Sequence, residues 1–241
     1  MSSPLYVVEH STMTGLCDAV RALTNVSSSF TPSQLISQIS HFELPVINPL
    51  QYCLDGAITE FTDENSYVIG ELAFASCSNL LTASFPKAAY VGNRAFLDCS
   101  SLTTIYLPKC QGVDECAFLR CSQLTELNLP ECVGVASSAF HGCSQLTSIY
   151  LPNCKQIGQA AFQNCTSLSI VSVPVCERIF ANAFGFCPKL RELYLDRVSS
   201  VTILGGNLYY VISSVYVPSS LYSDFLVASR WSDIASKLVS V

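Results

Sequence analysis

The dipeptide Ala-Phe returns every 22 residues, at Ala73-Phe74, Ala95-Phe96, Ala117-Phe118, Ala139-Phe140, Ala161-Phe162 and Ala183-Phe184. Three residues after each Phe stands a cysteine (Cys77, Cys99, Cys121, Cys143, Cys165, Cys187), and three further on a leucine (Leu80, Leu102, Leu124, Leu146, Leu168, Leu190). A fixed period of this length is the signature of a stacked repeat. No single unit can bury its own apolar face, so neighbours must close the core for one another.

Within the unit, Leu102-Thr-Thr-Ile105-Tyr-Leu107 alternates apolar and polar residues at its end, the pattern of a half-buried strand. Proline cannot donate to a strand ladder, so Pro86, Pro108, Pro130, Pro152, Pro174 and Pro218 mark where pairing stops. The strands are expected to pair in parallel at roughly 4.8 Å per coil, giving a right-handed solenoid. The Ala-Phe-x-x-Cys stretch has room for one helical turn on the return path. Continuing the frame forward sets Ile212, Val215 and Val217 on the positions of Leu190, Leu193 and Leu195, a seventh strand, with Gly205-Gly206 in place of Ala-Phe. Continuing it backward sets Ile58 and Phe61 on the positions of Leu80 and Ala83, a capping coil over residues 56 to 68.

The whole frame, I-G-x-x-A-F-x-x-C-x-x-L-T-x-I-x-L-P, resembles the BspA-like leucine-rich-repeat family from about residue 56 to 218. The resemblance implies a bacterial, viral or protist protein that displays repeats for adhesion or partner binding, with no shared catalytic residues. The expected fold is an α/β repeat: a leucine-rich-repeat solenoid with a short-stranded parallel sheet on its concave face, a small helical N-terminal unit and a C-terminal helical cap. The divisions are residues 1–42 for the helical unit, 43–55 for a linker, 56–218 for the solenoid and 219–241 for the cap.

In the first of these, Thr14 precedes Leu16, Ala19, Val20 and Leu23, and Thr31-Pro32-Ser33-Gln34 matches a capping box with proline at the first helical position. Two short helices are expected. The pattern L-x-D-A-V-R-A-L-T followed by T-P-S-Q-L-I-S-Q-I is similar to leaders of phage tail proteins and gut-bacterial repeat proteins, which implies a docking unit for an assembly partner. In the cap, Leu221, Phe225, Trp231, Ile234 and Leu238 are available to one side of an amphipathic segment that would cover the last coil. Its V-P-x-S-L to W-S course resembles the tails of BspA-like arrays.

A mean hydropathy of +0.39 with only 12% charged residues would suit a membrane protein if apolar residues ran in long blocks. The longest candidate, Val201 to Val217, is broken by Asn207, two glycines and two serines, so no membrane insertion is expected. A net charge of -6 and the lack of any Lys/Arg cluster exclude nucleic acid as an expected partner. No positive charge precedes Arg21 and no continuous apolar run follows, so no secretory signal is expected. Location on a virion or phage tail or on a bacterial surface, and otherwise in the cytoplasm, fits these features.

Thirteen cysteines invite a metal reading, and nine of them fall 11 apart from Cys99 to Cys187. They contain no C-x-x-C pair, however, and resolve into two columns of the repeat. The second column runs Ala88, Cys110, Cys132, Cys154, Cys176, Val198, and exchange with Ala and Val is the behaviour of a small buried hydrophobe. Free interior thiols and no cofactor are expected, since parallel side-chain vectors suit disulfides poorly. Cys116 belongs to a different column (Leu72, Arg94, Ser138, Ala160, Asn182, Leu204) and is the candidate reactive thiol. His10, His41 and His141 are scattered, and no residues break frame to form a nucleophile–base pair, so no enzyme is expected.

The outward strand positions carry the candidate ligand-binding residues. One column is Thr82, Thr104, Glu126, Ser148, Ile170, Glu192, Ser214; the other is Ser84, Tyr106, Asn128, Tyr150, Ser172, Tyr194, Tyr216. Thr104, Tyr106, Glu126, Asn128, Ser148, Tyr150, Glu192, Tyr194 and Tyr216 form the candidate face. Tyrosine among Ser, Thr and Asn suits recognition, because it gives large contact area at low entropy cost; Tyr and Thr are equally good strand residues. An edge column, Lys87, Lys109, Glu131, Asn153, Val175, Arg197, is mixed in sign. These features suggest a non-enzymatic module that holds a protein or glycan on its concave face, as part of a phage tail, prophage particle or bacterial surface assembly. The alternative is a purely structural spacer or decoration protein of such an assembly.

Overall fold

The structure is a computed structural model that describes residues 58–205 and 212–241. The expected leader and linker, with His10 and His41, lie outside the described residues. From Glu60 onward the chain winds as stacked coils, each contributing to parallel ladders. The first ladder uses three-residue strands: β1 (Glu60–Thr62), β3 (Thr82–Ser84), β5 (Thr104–Tyr106), β8 (Ser148–Tyr150), β10 (Ile170–Ser172), β12 (Glu192–Tyr194) and the slightly longer β14 (Ser214–Val217). Apart from β5 and β14, each pairs with the strand 22 residues on, Thr82 with Thr104 and Ile170 with Glu192 for example. Alternation turns Ala83, Ile105, Ile149, Val171, Leu193 and Val215 inward, where all are buried. The expected capping coil at Ile58 and Phe61 and the expected strand at Ser214–Val217 are both present.

One expected strand is missing. Residues 126–128 keep Leu127 buried but form only an isolated bridge, Asn128 to Tyr150. The first ladder is therefore split into a three-stranded sheet, β1-β3-β5, and a five-stranded one.

A second ladder, absent from the sequence expectations, runs through the I-G positions as two-residue strands: β2 (Val68–Ile69), β4 (Tyr90–Val91), β6 (Gly112–Val113), β7 (Gly134–Val135), β9 (Gln156–Ile157), β11 (Arg178–Ile179) and β13 (Ile203–Leu204). Its inward residues Ile69, Val91, Val113, Val135, Ile157 and Ile179 close the core from the other side.

The Ala-Phe-x-x-Cys stretch is not the expected helical turn. Residues two before each Phe (Leu72, Arg94, Cys116, Ser138, Ala160, Asn182) take left-handed φ values of 53 to 57°, and residues two after it are left-handed too, Asp98 at 60° and Arg120 at 62°. Non-glycine residues enter this region at a cost of roughly 1–2 kcal/mol. The coil stack offsets it with a third set of bonds: Arg94 N–H donates to Glu115 O at 3.0 Å, Phe96 to Ala117 at 2.7 Å and Asp98 to Leu119 at 2.9 Å, and the neighbouring coils repeat this. Alternate amides thus point along the stack, which a helix does not allow. The repeats are consequently strands and turns, without the helical component of an α/β unit.

Buried phenylalanines form the spine. Phe74, Phe96, Phe118, Phe140 and Phe162 stack with centroids 5.0 to 5.2 Å apart and rings within 4° of parallel. The two cysteine columns are interior, as expected, and each has its own bond. Cys99, Cys121, Cys143, Cys165 and Cys187 donate to the Phe carbonyl of the preceding coil at 2.9 to 3.4 Å. Cys110, Cys132, Cys154 and Cys176 instead donate to the carbonyl two residues ahead. Burial pushes the thiols of Cys132 and Cys176 up to about 12 and that of Cys187 to about 11. Cys77 departs from the free-thiol expectation: it is disulfide-bonded.

At the C-terminal end the frame slips. β13 pairs with β11 at an offset of 25 residues, Ile179 with Leu204, whereas β14 pairs with β12 at 22. Leu204 therefore belongs with Ile179 inside the core, not in the column of Cys116. The slip places Thr202 in the interior, where its hydroxyl donates to Cys176 O at 2.7 Å and its carbonyl accepts from Trp231 Nε1 at 2.7 Å. The cap buries Phe225, Trp231, Ile234 and Leu238 as expected, but it is not one helix. A 3-10 turn (Ser219–Leu221), a short helix α1 (Tyr222–Val227) and a second 3-10 stretch (Ser232–Lys237) lead into β15 (Leu238–Ser240), which pairs in parallel with β14. Arg230 at φ 68° and the extended Ala228 break the helical course.

Candidate binding face

The first ladder shows its outward residues in two straight rows, because every coil repeats the same register. Of the predicted residues, Thr104, Glu126, Asn128 and Ser148 are exposed, and Tyr106 and Tyr150 are 55% and 58% exposed. Two exposed rings in one row offer a partner large contact area at low entropy cost. Tyr194 and Tyr216 behave differently. They stack on each other, centroids 4.3 Å apart and 8° from parallel, and the Tyr194 hydroxyl donates to Glu192 at 2.8 Å. That bond to a carboxylate pushes the Tyr194 phenol up to about 12. Tyr194, Tyr216 and Glu192 are thus half-buried and mutually satisfied, whereas Tyr106, Glu126, Asn128 and Tyr150 are not engaged with one another except through the Asn128–Tyr150 backbone bridge.

The split in the sheet shapes the face. A shallow depression over the three-stranded part is lined by Thr62, Thr82, Thr104, Tyr106, Glu126 and Asn128 among others. Its lining combines hydroxyls and a carboxamide with the carboxylates of Glu60 and Glu126, the aromatic Phe61 and Tyr106, and the apolar Ala83 and Ile105. Along the rim, Lys109 pairs with Glu131 at 2.6 Å, an exposed ion pair that contributes little to stability.

A second shallow depression lies on the other sheet, between Tyr90, Gly112, Val133, Gln156 and Phe180. The Tyr90 ring covers Gly112, where any Cβ would meet it at 3.0 Å. Arg178 lies over the Phe180 ring, 5.5 Å from its centroid. Tyr90 and Phe180 were legible as large residues in columns of small or polar ones, a signal that sequence reasoning passed over because it followed the Tyr-rich rows.

Cys116 is half-buried in its turn, and burial together with Glu115 pushes its thiol up against the opposing pull of Arg94. It is therefore accessible without being activated. His141 sits in the next turn position, its Nε2 3.1 Å from the Asn164 carboxamide. The structure does not bring Cys116 and His141 into one hydrogen-bonded constellation, and no group of three or more metal-ligating side chains is assembled among the described residues. Nor is any described helix long and apolar enough to cross a membrane.

The family model of the BspA type leucine rich repeat region matches the sequence in six copies, over residues 51–169 and 133–223. Among solved structures, a leucine-rich repeat protein of T. pallidum superposes with a TM-score of 0.58 at 23% identity, covering 64% of this chain and 76% of that one. A leucine rich cell surface protein of Faecalibacterium prausnitzii gives 0.49 at 19% identity, covering 67% and 64%. A leucine-rich repeat protein of Bacteroides ovatus gives 0.47 at 18%, covering 76% and 68%. No curated protein sequence matches. The first likeness carries the fold alone.

Proposed function

The chain belongs to the BspA-type leucine-rich-repeat family, and from that premise we propose that it is a non-enzymatic module holding a protein or glycan on the outward face of its first ladder. The observation that carries this reading is the pair of rings, Tyr106 on β5 and Tyr150 on β8, left more than half exposed beside Thr104, Glu126, Asn128 and Ser148. Recognition surfaces favour this composition because a tyrosine surrenders few rotamers when it is covered. The setting proposed is a phage tail, prophage particle or bacterial surface assembly, with residues 1–42 as the docking unit.

Replacing Tyr106 and Tyr150 together by alanine tests the reading on partner captured by the native assembly. Binding should be abolished while the melting temperature stays near that of the parent. Undiminished binding by the double variant would instead favour a spacer.

A further inference from the structure

The two rows of the candidate face are one-sided in charge, and Lys109 on the rim beside Tyr106 is held by Glu131 at 2.6 Å. From Glu60 to Tyr216 the two rows hold Glu60, Glu126 and Glu192 and no lysine or arginine. Of the two carboxylates at the centre and the C-terminal end, that of Glu192 already accepts the Tyr194 hydroxyl. Glu126 is exposed and makes no ion pair or side-chain hydrogen bond among the described residues. The coil before it presents Tyr106 and the coil after it Tyr150. Between those rings, in the same row, stands the shorter and exposed Asn128.

Coils repeat at about 4.8 Å, so the two rings flank Asn128 at roughly 10 Å from each other, and a cation set midway lies within about 6 Å of both. A guanidinium suits such a place better than an ammonium. It is planar, it stacks on an aromatic face, and its fork of donors matches a carboxylate with a carboxamide beside it. We infer that the partner is a protein presenting an exposed arginine, whose guanidinium seats over Asn128 between Tyr106 and Tyr150 and pairs with Glu126. This rests on the binding role proposed above and gives that role its partner chemistry. An anionic partner would meet uncompensated glutamates, and a neutral glycan would use the rings and hydroxyls but leave the charge idle.

The test uses the full chain and three probes: an end-blocked peptide carrying three arginines, the same peptide with citrulline at those positions, and maltohexaose. The arginine peptide should bind, and should weaken as salt rises from about 50 to about 300 mM. Glu126→Gln should lower its affinity about tenfold and Tyr106→Ala or Tyr150→Ala about fivefold each. Glu177→Gln removes the same charge from a side chain off this face and should leave affinity unchanged, which controls for simple attraction to an acidic protein. Equal binding of the citrulline peptide, equal effects of Glu126→Gln and Glu177→Gln, or no binding of the arginine peptide would each overturn the inference. Maltohexaose binding that is lost on tyrosine replacement would overturn it while sustaining the binding role. If the native partner also ignores the tyrosine replacements, both readings fall.

Discussion

Replacing Phe140 by leucine removes two ring contacts and little else. Phe140 is fully buried and stacks on Phe118 at 5.0 Å and on Phe162 at 5.2 Å, both within 4° of parallel. Leucine keeps the site apolar and nearly filled, so the main loss is the pair of stacks, each about 0.5–1.5 kcal/mol. The expected cost is therefore roughly 1–3 kcal/mol, measurable as a shift in urea midpoint at unchanged slope. Phe184 ends the described column and has Phe162 as its ring neighbour at a looser 5.7 Å. Phe184→Leu should cost about half as much. Nearest-neighbour coupling gives a sharper form. A double-mutant cycle between Phe118 and Phe140 should show about 0.5–1.5 kcal/mol of coupling, whereas Phe96 and Phe140, two coils apart, should add within about 0.5 kcal/mol. Coupling between Phe96 and Phe140 as large as that between adjacent rings would refute the view that each coil stabilises only its neighbours.

Two glycines, Gly134 in β7 and Gly158 directly after β9, should respond oppositely to alanine. A Cβ on Gly158 would stand 2.5 Å from the Ala136 carbonyl carbon, backbone against backbone, so Gly158→Ala should cost about 1–3 kcal/mol. A Cβ on Gly134 meets nothing within 4 Å, so Gly134→Ala should be neutral or gain up to about 1 kcal/mol; thermal melts of the pair check the contrast. The hydrogen bond from Arg120 holds the Asp98 carboxyl below its ordinary 3.8. A lowered folded pKa means that its stabilisation is present above 3.8 and lost as pH falls through the folded value. Both groups are exposed, so urea titrations of Arg120→Gln should fall only slightly below the parent at neutral pH, with the gap closing in acid and in salt.

The strand rows were legible from sequence because each depends on a local rule. Alternation at Leu102 to Leu107 sets which side chains turn inward, and Pro108 ends the strand. Exchange of Cys with Ala and Val told the interior character of the second cysteine column. What escaped depends on relations between coils. The turn at Ala117-Phe118 looks like a helical start, but its amides bond along the stack, and nothing in one repeat shows that Cys116 and Arg120 must adopt left-handed backbone. The two-residue strands are too short to alternate visibly, although the recurrent Ile or Val before Gly at Ile69, Val91 and Ile157 held the signal. The slip at Leu204 was hidden because strict counting kept it in the column of Cys116, while pairing with Ile179 buries it. Of the candidate face, the outward rows were legible and the grouping within them was not. The mutual satisfaction of Glu192, Tyr194 and Tyr216, and the split of the sheet at Asn128, arise only once side chains and coils meet.

The most direct measure of the account is maleimide labelling of the native protein, read peptide by peptide by mass spectrometry. The frame places nine thiols, Cys99 to Cys187 at 11-residue intervals, inside two sealed columns and leaves Cys116 alone among the described free thiols at the surface. Cys116 should label without denaturant, and the nine should stay protected and then label as the coils open. Native labelling of Cys143 or Cys154 at the rate of Cys116 would contradict the stacked frame on which every other conclusion depends.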